Sequence, residues 1–477
     1  MEADELVECL ARGNSVMDVM AASRALAALG AAAAPAASRL EALLNSGDSR
    51  HASTAAFVLA ELGIAALDAC PGLMDSYRKH LFSPYRAVRH WVAAALARSG
   101  PRAAEALAEL TQALDDPDAG VRALSAHALA EVGSPASAAL APLLKLLHDH
   151  EVDARAAAAV ALARIAPQDE AVLDALISAL DDEEYRVRAH AAEALGVVGN
   201  VAERSAASLS QRLRDERAEV RLCALHALAL IEPKGFDVGS SVAKCLDDPD
   251  AQVRRTAVEL LASSGEASAS SAPRIMAALR DPDEAVRYHA LDALARLAPY
   301  CGDIAPAIKL AVSNCLYDSS QRCQVRAAST LGRLGDQQEA ADSRIMASLT
   351  SEDPTVRIAG VEALGRLHTA SSTAKEALQA CLRDESAPVR VAAAEALLNL
   401  GEVPGTVMPV LESTLTGESA EVQTAAMRLL ARLGTHASPL LDVIRIKLGD
   451  SDREVRRAAR EAIQAITHEQ SAATGTT

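Results

Sequence analysis

Apolar and polar positions follow a helical rhythm along this chain, and the rhythm restarts about every 33 residues. Copies of a V-R-x-x-A-A-x-A-L-x-x-L-G pattern place a leucine at Leu26, Leu59, Leu96, Leu129, Leu162, Leu195, Leu228, Leu261, Leu294, Leu331, Leu364, Leu397 and Leu430, with Ile463 last. Eleven of the thirteen intervals are 33; the other two, Leu59 to Leu96 and Leu294 to Leu331, are 37. Residues 101–133 show what one copy encodes. Pro101 suits a first helical turn. Leu107, Leu110 and Leu114 then recur at three and four, one apolar helical face. Asp115-Asp-Pro-Asp118 breaks that helix, and the Asp118 side chain is placed to cap the next one. Val121, Ala126, Leu129 and Val132 form the second buried stripe, closed by Gly133. Neither helix can bury its stripe alone, so the units must stack. The expected fold is all-α: a solenoid, right-handed in its superhelix, of about fourteen helix pairs over residues 1–466. Lengthened units are expected around 64–100 and 299–335, and a disordered tail over 467–477.

Composition narrows this. Half the residues are hydrophobic but only 2% are aromatic, so the core is Ala, Leu, Val and Ile. Alanine is the best helix former and lets helices approach closely. No apolar run reaches the length of a membrane span, and the acidic start Met1-Glu-Ala-Asp-Glu5 lacks the basic region of a signal peptide. A cytoplasmic location and a monomer are expected. The net charge of −17, with lysine only at 79, 145, 234, 244, 309, 375 and 447, disfavours a nucleic-acid partner. Eight cysteines form no C-x-x-C pair and read as reduced, structural thiols. No cofactor or metal is expected.

The segments DDPDAGVRALSAHALAEVG (115–133), DDEEYRVRAHAAEALGVVG (181–199), RDPDEAVRYHALDALARLA (280–298) and RDESAPVRVAAAEALLNLG (383–401) resemble the HEAT-repeat family, in the short form named after phycobilisome lyases. The resemblance covers roughly residues 5–466. It implies an α-solenoid, and it leaves function open among scaffolds, lyase subunits and hydroxylases.

The motif arginine recurs at Arg89, Arg122, Arg155, Arg188, Arg221, Arg254, Arg287, Arg357, Arg390 and Arg456. Asp116, Asp149, Asp182, Asp215, Asp248, Asp281, Asp384 or Asp450 stands six residues before one of them. A catalytic or phosphate-binding site needs one special constellation, whereas this one recurs in most units. The pattern reads as a structural ladder of bidentate Arg–carboxylate pairs. It lapses at Gln423 and Gln324, where the joints are expected to be less rigid.

Function in a repeat array lies in departures from the repeat. The first insertion reads YRKHLFSPYRAVRHW over 77–91. It sets Tyr77, Phe82, Tyr85 and Trp91 among Arg78, Lys79, His80, Arg86, Arg89 and His90, with no acid. These rings either pack a lengthened helix or anchor a partner. With Phe57 and His127, the segment is the expected contact for a protein or peptide of acidic surface. The second insertion holds Cys301, Cys315 and Cys323, whose spacing matches no usual zinc pattern. It reads as a longer, hinged unit. A further row lies five residues after each ladder arginine and should face the concave side. It includes Phe57, His127, Val160, His226, Glu259, Asp292, Glu362 and Glu395, and four residues on stand Arg296, Arg333, Arg366 and Arg432. Asp292–Arg296 and Glu362–Arg366 read as surface pairs worth about 0.3 kcal/mol each.

These features favour a non-enzymatic scaffold holding a protein or peptide on its concave face. The alternative is a bilin lyase or lyase-associated chaperone with a tetrapyrrole site near Trp91 and His127. A HEAT-type di-iron hydroxylase would need His-Glu pairs on successive helices, and the chain has one, His468-Glu469.

Overall fold

The computed structural model describes residues 3–12, 21–22, 24–26, 30–231, 238–335, 338–367, 372–417, 419–450 and 452–474. Every regular element among them is helical, and each of the two compact units, Met1–Val242 and Ala243–Thr477, is an all-α solenoid. None of the described helices is long and apolar enough to cross a membrane.

The unit at 101–133 shows how the sequence makes the element. Its first helix opens as a 3-10 turn, Gly100–Ala106, and becomes α-helical only over Leu107–Ala113. Proline near the start and a run of small residues allow the tighter winding. The second helix, Ala119–Val132, is capped by the Asp118 side chain, which accepts from the Val121 amide at 3.1 Å. Gly133 ends it at φ 72°, a conformation that favours glycine. Val121, Ala126 and Leu129 are fully buried. Asp48, Asp169, Asp250 and Asp283 cap their helices in the same way.

Both long intervals are absorbed in the first-helix half of a unit. In the first, the short helices Ile64–Ala69 and Leu73–His80 precede the second helix Arg86–Ala97. In the second, the 3-10 turns Ala298–Tyr300 and Gly302–Ile304 precede the helix Ala305–Asn314. The last helix runs Arg453–Thr474, past the 467 boundary expected for a tail. Residues 467–474 contain neither glycine nor proline to stop it. Residues 475–477 lie outside the described set.

Of the eight free cysteines, Cys70, Cys245, Cys301, Cys315, Cys323 and Cys381 are buried. Burial pushes the Cys223, Cys315 and Cys323 thiols up to about 11, which keeps them protonated and unreactive. No cluster suited to a metal ion occurs among the described residues.

Candidate functional site

The ladder is directional. Arg122 donates from Nε and Nη2 to the Asp149 carboxylate of the following unit, at 2.8 and 2.7 Å. Its Nη1 turns back to the Asp116 carbonyl at 2.8 Å. Arg122 therefore clamps its own inter-helix turn and the next one. The same bidentate geometry joins Arg89 to Asp116, Arg155 to Asp182, Arg188 to Asp215, Arg254 to Asp281 and Arg357 to Asp384. Arg221, Arg390 and Arg456 likewise donate from Nη1 to the carbonyls of Asp215, Asp384 and Asp450. The carboxylates of Asp248 and Asp450 accept the amides of Asp250 and Asp452. Burial alone would raise the carboxyls of Asp149, Asp215, Asp281 and Asp384. Their arginine and amide hydrogen bonds outweigh it and hold them below the usual range.

Asp318 belongs to the ladder and escaped the sequence reading. Arg287 reaches it at 2.9 Å through both nitrogens, four residues further along the chain than usual because the insertion precedes it. Its signal was its place six residues before Gln324. Gln324 itself donates to the Asp318 carbonyl at 2.7 Å and accepts from Arg344 at 2.7 Å. The aspartate it would need 27 residues on is Ser351. A cleft of about 450 Å³ opens there, lined in part by Gln321, Gln324, Arg344 and Ser351. The other lapse has Gln423, with Gly417 in the aspartate position.

The basic–aromatic segment divides between core and surface. Tyr77 is fully buried, and its hydroxyl has no protein partner. It is a core residue and not a contact, because Leu73–His80 turns that face inward beside Leu73 and Met74. Arg78 donates to Glu109 at 2.8 Å, and Arg86 pairs with Asp118. These are not the uncommitted cations expected from a stretch without acids, because the next unit supplies the carboxylates. Arg89 is a ladder arginine. His80 bonds Asn45 at 2.9 Å. Phe82 and Tyr85 are 43% and 45% exposed, and Lys79 is exposed. On the second helices, Phe57 meets Trp91 edge-on at 4.8 Å, and His90 meets Trp91 at 5.2 Å. His127 is exposed to water yet crowded; desolvation first, then His190 and Arg164, depress its basicity.

A second site lies in the unit Ala243–Thr477, where the sequence suggested only surface pairs. Arg296, Arg333 and Arg366 stand in the last turns of the helices Glu284–Leu297, Gln321–Arg333 and Pro354–Leu367, where cations suit the helix dipole. All three converge on Asp292. Arg296 binds its Oδ2 at 2.9–3.0 Å, whereas Arg366 and Arg333 approach Oδ1 at 3.7 and 3.9 Å. A fourth arginine, Arg326, lies 3.5 Å from the same oxygen. Arg326 is only 5% exposed. It stacks on the Tyr288 ring at 4.3 Å, hydrogen-bonds the Tyr288 hydroxyl, and reaches Glu362 at 3.2 Å. Burial raises the Glu362 carboxyl, with Arg326 opposing. Asp292, Arg296, Gly332, Arg333, Gly365, Arg366 and Asn399 line an open cleft of about 820 Å³. Gly365 shapes its floor: a Cβ there would meet Cβ of Ala396 at 2.9 Å.

The comparisons with known proteins bear on fold and family. Solved structures of importin beta and of the Kap95:Nup1 complex share the fold, with TM-scores of 0.56 and 0.58 at 13% identity each. They cover 98% and 99% of this chain, and 72% and 78% of theirs. The karyopherin Kap121p, bound to the extreme C-terminus of the protein phosphatase Cdc14p, matches with a TM-score of 0.52 at 15% identity, over 99% of this chain and 60% of its own. No curated protein matches the sequence. Residues 78–163 and 140–229 match HEAT repeats. Residues 205–472, more than half the chain, match the adaptin N-terminal region, and the chain belongs to that family.

Proposed function

We propose that this protein is a non-enzymatic scaffold that holds a protein partner along the face built by its second helices, the concave side of the array. The observation that carries the reading is a division of labour within each unit. The ladder and the apolar stripes repeat almost unchanged, whereas one position of the second helix, buried at Ala94 and Ser329, is exposed and mostly charged at His127, Glu193, His226, Glu259, Glu395, Arg428 and Glu461. Rigid spacing with variable exposed chemistry is what a recognition surface requires. The half-buried Phe57–Trp91 pair belongs to that surface in this reading. Lys79, Phe82, Tyr85 and His90 extend it at one edge. A cytoplasmic, monomeric protein fits the same picture. The structures with Nup1 and with the extreme C-terminus of Cdc14p are of other proteins and supply the precedent of this fold in complex with a protein or protein segment.

The test is site-specific photo-cross-linking in cell extract. Cross-linkers at His127 and at His226, exposed on second helices of one compact unit, should each capture a common partner. A cross-linker at Gln112, exposed on a first helix, should not. Capture only from Gln112 would overturn the reading. The phycobilisome-lyase resemblance rests on the repeat motif. A bilin-binding role would give the purified protein visible absorbance.

A further inference from the structure

We infer that the Arg296–Arg366 cleft is a receptor for an extended, acidic segment of a partner protein, and that Asp292 occupies it as an internal stand-in for the partner's carboxylate. The inference deepens the scaffold reading and rests on it. Arg296, Arg326, Arg333 and Arg366 bring four positive charges, and Asp292 and Glu362 bring two negative ones. The cleft thus keeps a surplus of two cations in a chain of net charge −17. The surplus is poorly spent. Of the three guanidinium groups that share the single oxygen Oδ1 of Asp292, Arg326 makes a long hydrogen bond at 3.5 Å, and Arg366 and Arg333 stand beyond hydrogen-bond distance at 3.7 and 3.9 Å. Arg333 and Arg366 make no hydrogen bond to Asp292 at these distances and can turn N–H groups to bidentate pairing with an arriving carboxylate. Arg326 is held from behind by Tyr288 and Glu362, so that side of the site is preformed. Arg333 and Arg366 are 33% and 41% exposed, and Arg366 holds Glu362 by a 3.3 Å hydrogen bond for which an arriving carboxylate would compete.

The flanking units favour an acidic peptide over a phosphate backbone. At the equivalent second-helix position on either side stand Glu259, paired with His289 at 3.2 Å, and Glu395, paired with Arg432 at 2.6 Å. A nucleic acid, charged at every step, would run into these carboxylates. A peptide meets the arginines with one or two Asp or Glu side chains and crosses the flanks with neutral ones.

The experiment measures binding of a fluorescein-labelled, Asp/Glu-rich dodecapeptide to the full chain by anisotropy at low and physiological salt. A single-stranded DNA oligomer serves as comparator. Arg333→Ala with Arg366→Ala should weaken peptide binding by about tenfold or more. Arg333→Lys with Arg366→Lys, which keeps the charge but not the bidentate fork, should weaken it less. Arg164→Ala with Arg204→Ala, which removes the same charge from the other compact unit, should leave it unchanged. Asp292→Asn should tighten it, because the competing carboxylate is gone, and Glu362→Gln should tighten it if Asp292→Asn does not fold. Equal losses in the Arg164/Arg204 control, weaker binding in both carboxylate variants, or tighter binding of DNA than of peptide would each overturn the inference. A partner still captured at His127 and His226 after Arg333→Ala with Arg366→Ala, with unchanged affinity, would remove the cleft and leave the scaffold standing. Failure of all second-helix capture would remove the scaffold itself.

Discussion

Arg188→Ala tests the ladder where its geometry is fully visible. The Arg188 side chain donates to both oxygens of Asp215 at 2.8 and 2.9 Å, and to the Asp182 and Glu183 carbonyls at 2.9 and 3.0 Å. The Asp215 side chain is only 4% exposed. Truncation leaves a buried carboxylate with the Arg217 amide at 3.0 Å and Arg212 at 3.9 Å. Removing one partner of a buried ion pair costs about 3–5 kcal/mol. The retained amide puts this site at the lower end, about 3 kcal/mol. For a unit of this size that is roughly 6–12 °C in Tm. Urea unfolding of wild type and variant reads the loss directly. Lys145→Ala is the internal control. Its pair with Asp115 leaves the two side chains 76% and 69% exposed, so it should cost no more than about 0.5 kcal/mol. A double-mutant cycle with Asp215→Ala should return a coupling on the order of 2 kcal/mol. If Arg188→Ala unfolds within about 0.5 kcal/mol of the Lys145 variant, the ladder is surface decoration and the argument fails.

Three further outcomes follow from the same coordinates. The ladder carboxyls of Asp149, Asp215, Asp281, Asp318 and Asp384 all titrate below their usual range. The stability they contribute is therefore fully present above the ordinary carboxylate pKa of about 4 and is lost as pH falls through the lower folded values; urea midpoints at pH 3, 4 and 7 check this, and a constant midpoint would refute it. Tyr77→Phe removes a buried hydroxyl without a protein partner and should raise stability by about 1 kcal/mol, so a fall of that size would show that the hydroxyl is satisfied. Gly365→Ala would push a Cβ to within 3.0 Å of the Ala396 Cα and Cβ, costing about 1–3 kcal/mol; a neutral result in thermal melts would mean the two helices are free to separate.

The helix pairs were legible because their code is local. Asp118 as a cap, Gly133 as a stop and the Leu107–Leu110 stripe all act within a few residues of themselves. The ladder residues were legible by type and spacing. The direction of pairing, across 27 residues and not six, is set by how second helices stack. The arginine cleft was the least visible. Asp292–Arg296 and Glu362–Arg366 show in sequence as ordinary i,i+4 pairs. That Arg333 and Arg366 also reach Asp292 depends on how the helices Glu284–Leu297, Gln321–Arg333 and Pro354–Leu367 stack. Arg326 stands two positions off the ladder register, beside Gln324, so the periodicity gave it no role. Conversely, the 77–91 segment looked free of acids only because Glu109 and Asp118 arrive from the next unit.

The forward reach of each ladder arginine makes the array a chain of links in series, and such a chain stretches at its softest link. Ser351 stands where the receiving aspartate should be, and it falls in the second compact unit. Under tension that unit behaves as the compliant coil of a spring while Arg89–Asp116 through Arg188–Asp215 hold the first one stiff. Single-molecule pulling should record its first extension between residues 324 and 351. Restoring the pair with Ser351→Asp and Gln324→Arg should raise the force of that extension. The Arg296–Arg366 cleft spans helices on both sides of the soft link at 324–351, so a ligand bridging Arg296, Arg333 and Arg366 would act as a splint across it.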